Sequence, residues 1–223
     1  GGNEHDLSQI GSLMWRNRDG KTVKNRIAPL VDDLNSIPWA DKDLYNTKYH
    51  FFKKGYYIMS TRNCVNHCTF CHNSMMKDKY GLNTRAIRRR SVDDVIAELK
   101  WAKKKYKFTA IKFFDEIFTY QKPWLREFVP KYLKEIGLPY WCYVNPQYVD
   151  EEIVQLLKEA GCWESEMGVQ STNPATRIRM LHRYETQDQI RESIRLYRKY
   201  NIKLVVDNIF GIPEQEETDM INA

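Results

Sequence analysis

The chain has 223 residues, 42% of them apolar and 13% aromatic, with a formal net charge of +6. That is enough to bury the core of one large domain and too aromatic for a disordered chain. No stretch reaches the roughly 18–20 apolar residues of a membrane-spanning helix. The five cysteines are odd in number and no signal peptide is visible, so metal chemistry in a cytoplasmic setting is expected ahead of a disulfide framework.

Residues 1–55 show no sustained period of 3.6 or 2. Trp15–Val23 is predicted to form a small hairpin turning at RDGK (18–21), and the rest an extended linker reaching Gly55. From Tyr56 onward strands and helices alternate. YYIMST (56–61) reads as a strand. The stretch 91–106 carries Val92, Val95, Ile96 and Leu99 at helical spacing, with Ser91 placed to cap it. AIKFFDE (110–116) is a strand, and 123–137 is a helix that opens on Pro123, stops at Gly137 and should kink at Pro130. YWCYVNP (140–146) is a strand, and 150–161 a helix capped by Asp150 and ended by Gly161. CWESEMGVQS (162–171) is a strand, 186–201 a helix, KLVVDNIFGIP (203–213) a fifth strand, and 214–223 the start of another helix.

This alternation has the spacing of right-handed βαβ units. The sheet should therefore be parallel, with its functional residues at the carboxyl ends of its strands. Five strands are too few to close an eight-stranded barrel. The expected architecture is α/β, an open or partial parallel (β/α) barrel with its fifth strand at an open edge and residues 1–55 packed loosely across its outside. The basic runs RAIRRRS (85–91) and KWAKKKYK (100–107) read as solvated helix faces, so a nucleic-acid partner is not required.

The loop NCVNHCTFCHN (63–73) sets Cys64, Cys68 and Cys71 directly after the first strand of this series. Three readings compete. A structural zinc site wants four ligands, commonly in two close pairs; here His67, His72 or a remote cysteine would have to complete the set. Inert buried cysteines sit badly in so polar a loop. An iron–sulfur cluster favours thiolate ligation, and four irons on three cysteines leave one iron for a non-protein ligand. Cys142 and Cys162 read as packing residues. Glu164 and Glu166 share a strand face with Gln170 and belong to a site if that face points into the barrel.

A C-x3-C-x2-C motif after the first strand of a partial βα barrel resembles the radical S-adenosylmethionine (SAM) superfamily, as does Phe70 just before the third cysteine. Other strand ends agree. FFDE (113–116) resembles the segment that holds the SAM amino group, which implies that role for Asp115 and Glu116. GVQS (168–171) implies Gln170 and Ser171 near the ribose or carboxylate, although relatives often carry Glu at the position of Gln170. MLHRYET (180–186) implies Arg183 at the SAM carboxylate. NIFGIPEQEE (208–217) resembles the family's fifth-strand Gly-x-Pro motif and adds Asn208.

Residues 10–45 resemble the connection between a cobalamin-binding domain and a radical SAM core. The resemblance thus implies a linker over 1–55, following a missing cobalamin-binding domain, and a radical SAM core over 56–223, truncated at its C-terminus. It implies an enzyme with a [4Fe-4S] cluster on the three cysteines and SAM on the open iron, with cobalamin as a cofactor of the longer protein. The cluster would cleave SAM reductively to a 5′-deoxyadenosyl radical, for methyl transfer or another radical modification of a small or macromolecular organic substrate. An electron donor such as ferredoxin or flavodoxin is implied as partner. The alternatives are a tRNA methylthiotransferase-like radical SAM enzyme and a non-catalytic iron–sulfur or zinc module.

Overall fold

The computed structural model describes residues 7–49, 55–81 and 87–221. His5, Arg85, the end of the predicted linker (50–54) and the last two residues lie outside them. The N-terminal hairpin is present: β1 (Met14–Arg16) and β2 (Thr22–Lys24) pair antiparallel, with Trp15 opposite Val23. In its turn Gly20 takes a left-handed φ of 75°, which glycine adopts without a Cβ clash. The rest of the linker is not simply extended. It holds a 3-10 turn at Leu34–Ser36 and a helix, α1 (Asp43–Tyr49).

The main sheet consists of β3 (Tyr56–Ile58), β6 (Ile111–Phe113), β7 (Tyr140–Val144), β8 (Cys162–Gln170) and β9 (Lys203–Asn208), side by side in chain order and all parallel. A separate antiparallel pair, β4 (Thr61–Arg62) with β5 (Arg88–Arg89), lies beyond the end of β3. The first strand therefore stops at Ile58, short of the predicted Thr61, because Ser60 and Thr61 turn toward Asp115. The helices are α2 (His72–Tyr80), α3 (Val92–Tyr106), α4 (Lys122–Glu135), α5 (Glu151–Glu159), α6 (Pro174–Arg179), α7 (Gln187–Lys199) and α8 (Glu217–Ile221). Their caps follow the sequence. Ser91 accepts from the Asp94 N–H and Asp150 from the Ile153 N–H, and Thr186 with Gln189 forms a capping box. Helix α4 continues through Pro130 and ends before Gly137, whose φ is 59°.

Strand alternation divides the sheet into two faces. Tyr56, Ile58, Ile111, Phe113, Cys142, Val144, Met167 and Val169 pack in one core with apolar residues of α3, α4, α5 and α7. On the other, inner face the register lines up Tyr57, Lys112, Trp141, Glu164 and Lys203 across the strands.

The linker is pinned rather than loose. The Trp39 indole N–H donates to Asp94 at 3.0 Å and the Asn35 carboxamide accepts from the Ser91 N–H at 2.9 Å. Lys42 reaches the Tyr57 carbonyl at 2.7 Å and Glu98 at 3.2 Å. Glu98, 3% exposed, also accepts from the Tyr56 hydroxyl at 2.6 Å and from Arg90. Strand β3 is an edge of the sheet, and an uncovered edge offers unpaired ladder groups to other chains; the linker covers this one.

The two basic runs divide: the lysines of 100–107 lie on an exposed helix face as expected, whereas Arg88–Arg90 form a strand and turn into internal contacts. Arg88 donates to the Val31 carbonyl, Arg89 stacks over Trp124 at 3.7 Å and donates to the Phe118 carbonyl, and Arg90 pairs with Asp94 and Glu98. Lys100 pairs with Glu135 and Lys105 with Asp43. Among the described residues no helix is long and apolar enough to cross a membrane.

Removing Glu98 would leave Lys42 and Arg90 without their shared buried carboxylate. Glu98→Ala is expected to lose about 3–5 kcal/mol in urea unfolding. Burial alone would raise the Glu98 carboxyl, but Lys42, Tyr56 and Arg90 hold it below its ordinary 4.5. Its contribution is therefore full above that value and is lost as pH falls through the lower folded one. The stability gap between wild type and Glu98→Ala should shrink on acidification from neutral pH.

Candidate functional site

The chain enters the cysteine loop from a fixed point. Asp115, fully buried, accepts from the Ser60 hydroxyl at 2.9 Å, the Thr61 N–H at 2.5 Å and the Thr61 hydroxyl at 2.6 Å, all on one carboxylate oxygen. Asn63 then turns the chain with φ at 75°, and its side-chain oxygen accepts from the Cys64 N–H at 3.0 Å. The loop closes on itself where the Cys71 N–H donates to the Cys68 carbonyl at 3.1 Å. It is tied to the segment after α6 by Thr69, whose N–H reaches the Leu181 carbonyl and whose hydroxyl reaches that of Met180 at 2.6 Å. Cys71 caps α2.

Cys64, Cys68 and Cys71 line one cavity of about 190 Å3. The ends of the strands complete its wall: Glu116 and Ile117 after β6, Tyr143 to Asn145 from β7, Gly168 and Gln170 from β8, and Asp207 from β9, with Phe70 and Arg183 closing it. The thiols are free. Among the described residues no three Cys, His, Asp or Glu side chains close on a point as around a single metal ion.

Burial pushes the Cys64 thiol up to about 11; the Asn66 N–H and Lys77 oppose the rise and Glu116 adds to it. Burial also raises Cys68, against the pull of the Arg183 guanidinium beside it. Arg183 is held by Glu185 at 2.8 Å and by the Gly168 carbonyl. A second buried arginine, Arg177, donates to the Ser171 carbonyl at 2.7 Å and to Gln187 at 3.0 Å. Between them they shape the turn after β8. At Gly168 a Cβ would stand 2.3 Å from the Gln170 amide nitrogen, so the Gln170 side chain folds over this stretch of backbone. Glu164, Glu166, Gly168 and Gln170 alternate with the buried Ser165, Met167 and Val169, which puts them on the inner face. Burial and the neighbouring Asp207 carboxylate push Glu166 up to about 7.

Of the predicted site residues, Cys64, Cys68, Phe70, Cys71, Glu116, Gln170 and Arg183 meet at this cavity. Asp115 lies beneath it, engaged with Ser60 and Thr61. Ser171 is also turned in, 2% exposed, its hydroxyl accepting from the Asn173 N–H at 3.2 Å. Asn208 pairs in register with Gln170 and keeps a buried side-chain oxygen without a partner. His67 faces Asp78 at the surface, 2.9 Å away, and His72 is exposed. Cys142 and Cys162 are buried, each 3.5 Å from the Ser165 hydroxyl. Tyr143, Asn145 and Asp207 were not singled out in the sequence, although each lies in a predicted strand. Nothing in the sequence marks Arg177, because only tertiary packing buries it.

A family model described as the Radical SAM superfamily matches residues 58–223. The chain is 24% identical over 226 aligned positions to the anaerobic magnesium-protoporphyrin IX monomethyl ester cyclase of Synechocystis sp., covering 99% of this chain and 44% of that protein. It is 26% identical over 206 positions to the cytidylyl-2-hydroxyethylphosphonate methyltransferase of Streptomyces wedmorensis, covering 76% and 36%. Among solved structures it is similar to the radical S-adenosylmethionine methyltransferase TsrM of Kitasatospora setae. With tryptophan and a SAM analogue bound, that structure superposes with a TM-score of 0.76 at 20% identity over 96% of this chain and 43% of that one. With cobalamin and a [4Fe-4S] cluster bound, the TM-score is 0.73 at 19% identity. The chain spans less than half the length of each of these relatives.

The adjacent acids Asp115 and Glu116 should separate in a stability measurement. Asp115→Ala strips the acceptor from buried donors and is expected to cost on the order of 3 kcal/mol in urea unfolding. Glu116→Gln, at the cavity wall, should stay within about 0.5 kcal/mol of wild type.

Proposed function

Because the chain belongs to the radical SAM superfamily, we propose that Cys64, Cys68 and Cys71 hold a [4Fe-4S] cluster and that the cavity they line binds SAM. The observation that carries this reading is the meeting of three free thiols with the carboxyl ends of the parallel strands in one cavity. The donor set fits the group: soft thiolates suit iron–sulfur ligation. The bound pair supplies one-electron cleavage of the SAM carbon–sulfur bond, giving methionine and a 5′-deoxyadenosyl radical.

The chain's own residues bind and orient. Glu116, at the cavity wall, is placed to receive the SAM ammonium, while its neighbour Asp115 holds the loop. Arg183 is the cation placed for the SAM carboxylate. Gln170, folded over Gly168, and the unpartnered oxygen of Asn208 are the acceptors for ribose hydroxyls. Phe114, Trp141 and Tyr143 pack against one another on the inner side of the sheet, Tyr143 edge to face with both others, with ring centroids 4.4–5.7 Å apart, and form a wall that excludes water from a reactive radical.

The reaction served is methyl transfer or another radical modification of an organic substrate, with a ferredoxin- or flavodoxin-like electron donor, in a reducing cytoplasm. Residues 1–55 are read as a linker and 56–223 as the radical SAM core. By resemblance, residues 1–55 would connect the core to a further, cobalamin-binding domain.

Anaerobic reconstitution with iron and sulfide tests this directly. The wild type should take up four irons per chain, and with reductant it should turn SAM into 5′-deoxyadenosine and methionine. Replacement of Cys64, Cys68 or Cys71 by Ala should abolish both. Full iron uptake by Cys68→Ala, or stoichiometric zinc in place of iron, would contradict the proposal.

A further inference from the structure

Helix α2 is inverted relative to an ordinary surface helix. Its inward side carries Asn73, Ser74 and Lys77, while Met75 and Met76 face solvent. Each inward group meets the cysteine loop. The Asn73 amide points at the Cys71 Sγ at 3.8 Å, the Ser74 hydroxyl donates to the Cys68 carbonyl at 2.7 Å, and the Lys77 ammonium donates to the Asn66 carbonyl.

Lys77 is 1% exposed. A lysine is almost never buried so completely unless it is paired with an anion, because an isolated charge is costly to remove from water. Among the described residues no carboxylate forms an ion pair with it, and its hydrogen-bond acceptor is a neutral carbonyl. Its ammonium is anchored inside the cysteine loop, at Asn66 between Cys64 and Cys68, and its charge acts on the Cys64 sulfur.

We propose that Lys77 is the counter-charge of the cysteine trio. It is a positioning residue that holds the bend at Asn66 and offsets the negative charge of the three thiolates once they are ligated. The inference rests on the iron–sulfur reading. A buried cation beside a cluster favours the state carrying one more electron, so Lys77 raises the reduction potential of the site.

The test compares wild type, Lys77→Met and Lys77→Arg after anaerobic reconstitution, measuring iron per chain and the midpoint of a redox titration followed by paramagnetic resonance. Methionine keeps the side-chain length and removes the charge; arginine keeps the charge. The Lys77→Met midpoint should move to more negative potential and its iron retention on gel filtration should fall, while Lys77→Arg stays close to wild type. A Lys77→Met midpoint equal to wild type overturns the proposal, as does a Lys77→Arg midpoint displaced equally far. If Lys77→Met holds no iron, retention by Lys77→Arg supports the charge role and loss from Lys77→Arg overturns it. Failure of the wild type itself to take up iron would instead overturn the iron–sulfur reading, and this inference with it.

Discussion

Parallel pairing in chain order forces the carboxyl end of every strand onto one rim, because each strand must return by a crossover before the next begins. The crossover helices α3, α4, α5 and α7 bury one face of the sheet and leave the inner face to a different chemistry. The outer face is a continuous apolar and aromatic core through Tyr56, Phe113, Tyr140 and Met167. The inner face carries Lys112, Trp141, Tyr143, Glu164 and Glu166. A loop leaving the first strand at that rim needs only a few residues to bring cysteines opposite the ends of the other four. The open edges are the remaining cost of this geometry. The linker covers β3, whereas β9 keeps Val206 39% exposed.

Buried polar groups in this protein serve the loops more than the core. Asp115 fixes the entry to the cysteine loop, Arg177 and Arg183 fix the turn after β8, and Glu98 fixes the linker against α3. Each is a charge whose burial would be unfavourable alone and is offset by several short hydrogen bonds. These contacts tie the loops of the rim to the body of the domain.

Elements with apolar periodicity were legible in the sequence: α3, α4, α5, α7 and the five strands all follow the alternation of Val, Ile, Leu and aromatic positions. Helix α2 was not, because its buried face is Asn73, Ser74 and Lys77 and its apolar residues point outward. The arginine run at 88–90 was misread for the same reason, since burial of a charge depends on partners such as Glu98 and Val31 that lie far away in sequence. At the site, the cysteine spacing carried its own signal. The pair Asp115–Glu116 did not separate by residue type, yet strand parity divides it. Lys112, Phe114 and Glu116 share the inner face, and Phe113 and Asp115 the outer one. The same parity puts Gln170 with Glu164 and Glu166.

The central claim is that three cysteines ligate a four-iron cluster and leave one iron to SAM. Mössbauer spectroscopy of the anaerobically reconstituted protein, loaded with the enriched iron isotope and recorded with and without SAM, tests it most directly. The account predicts that one iron of the four separates from the others and shifts when SAM is added. Four irons unmoved by saturating SAM, or a signal from isolated single iron ions, would contradict it.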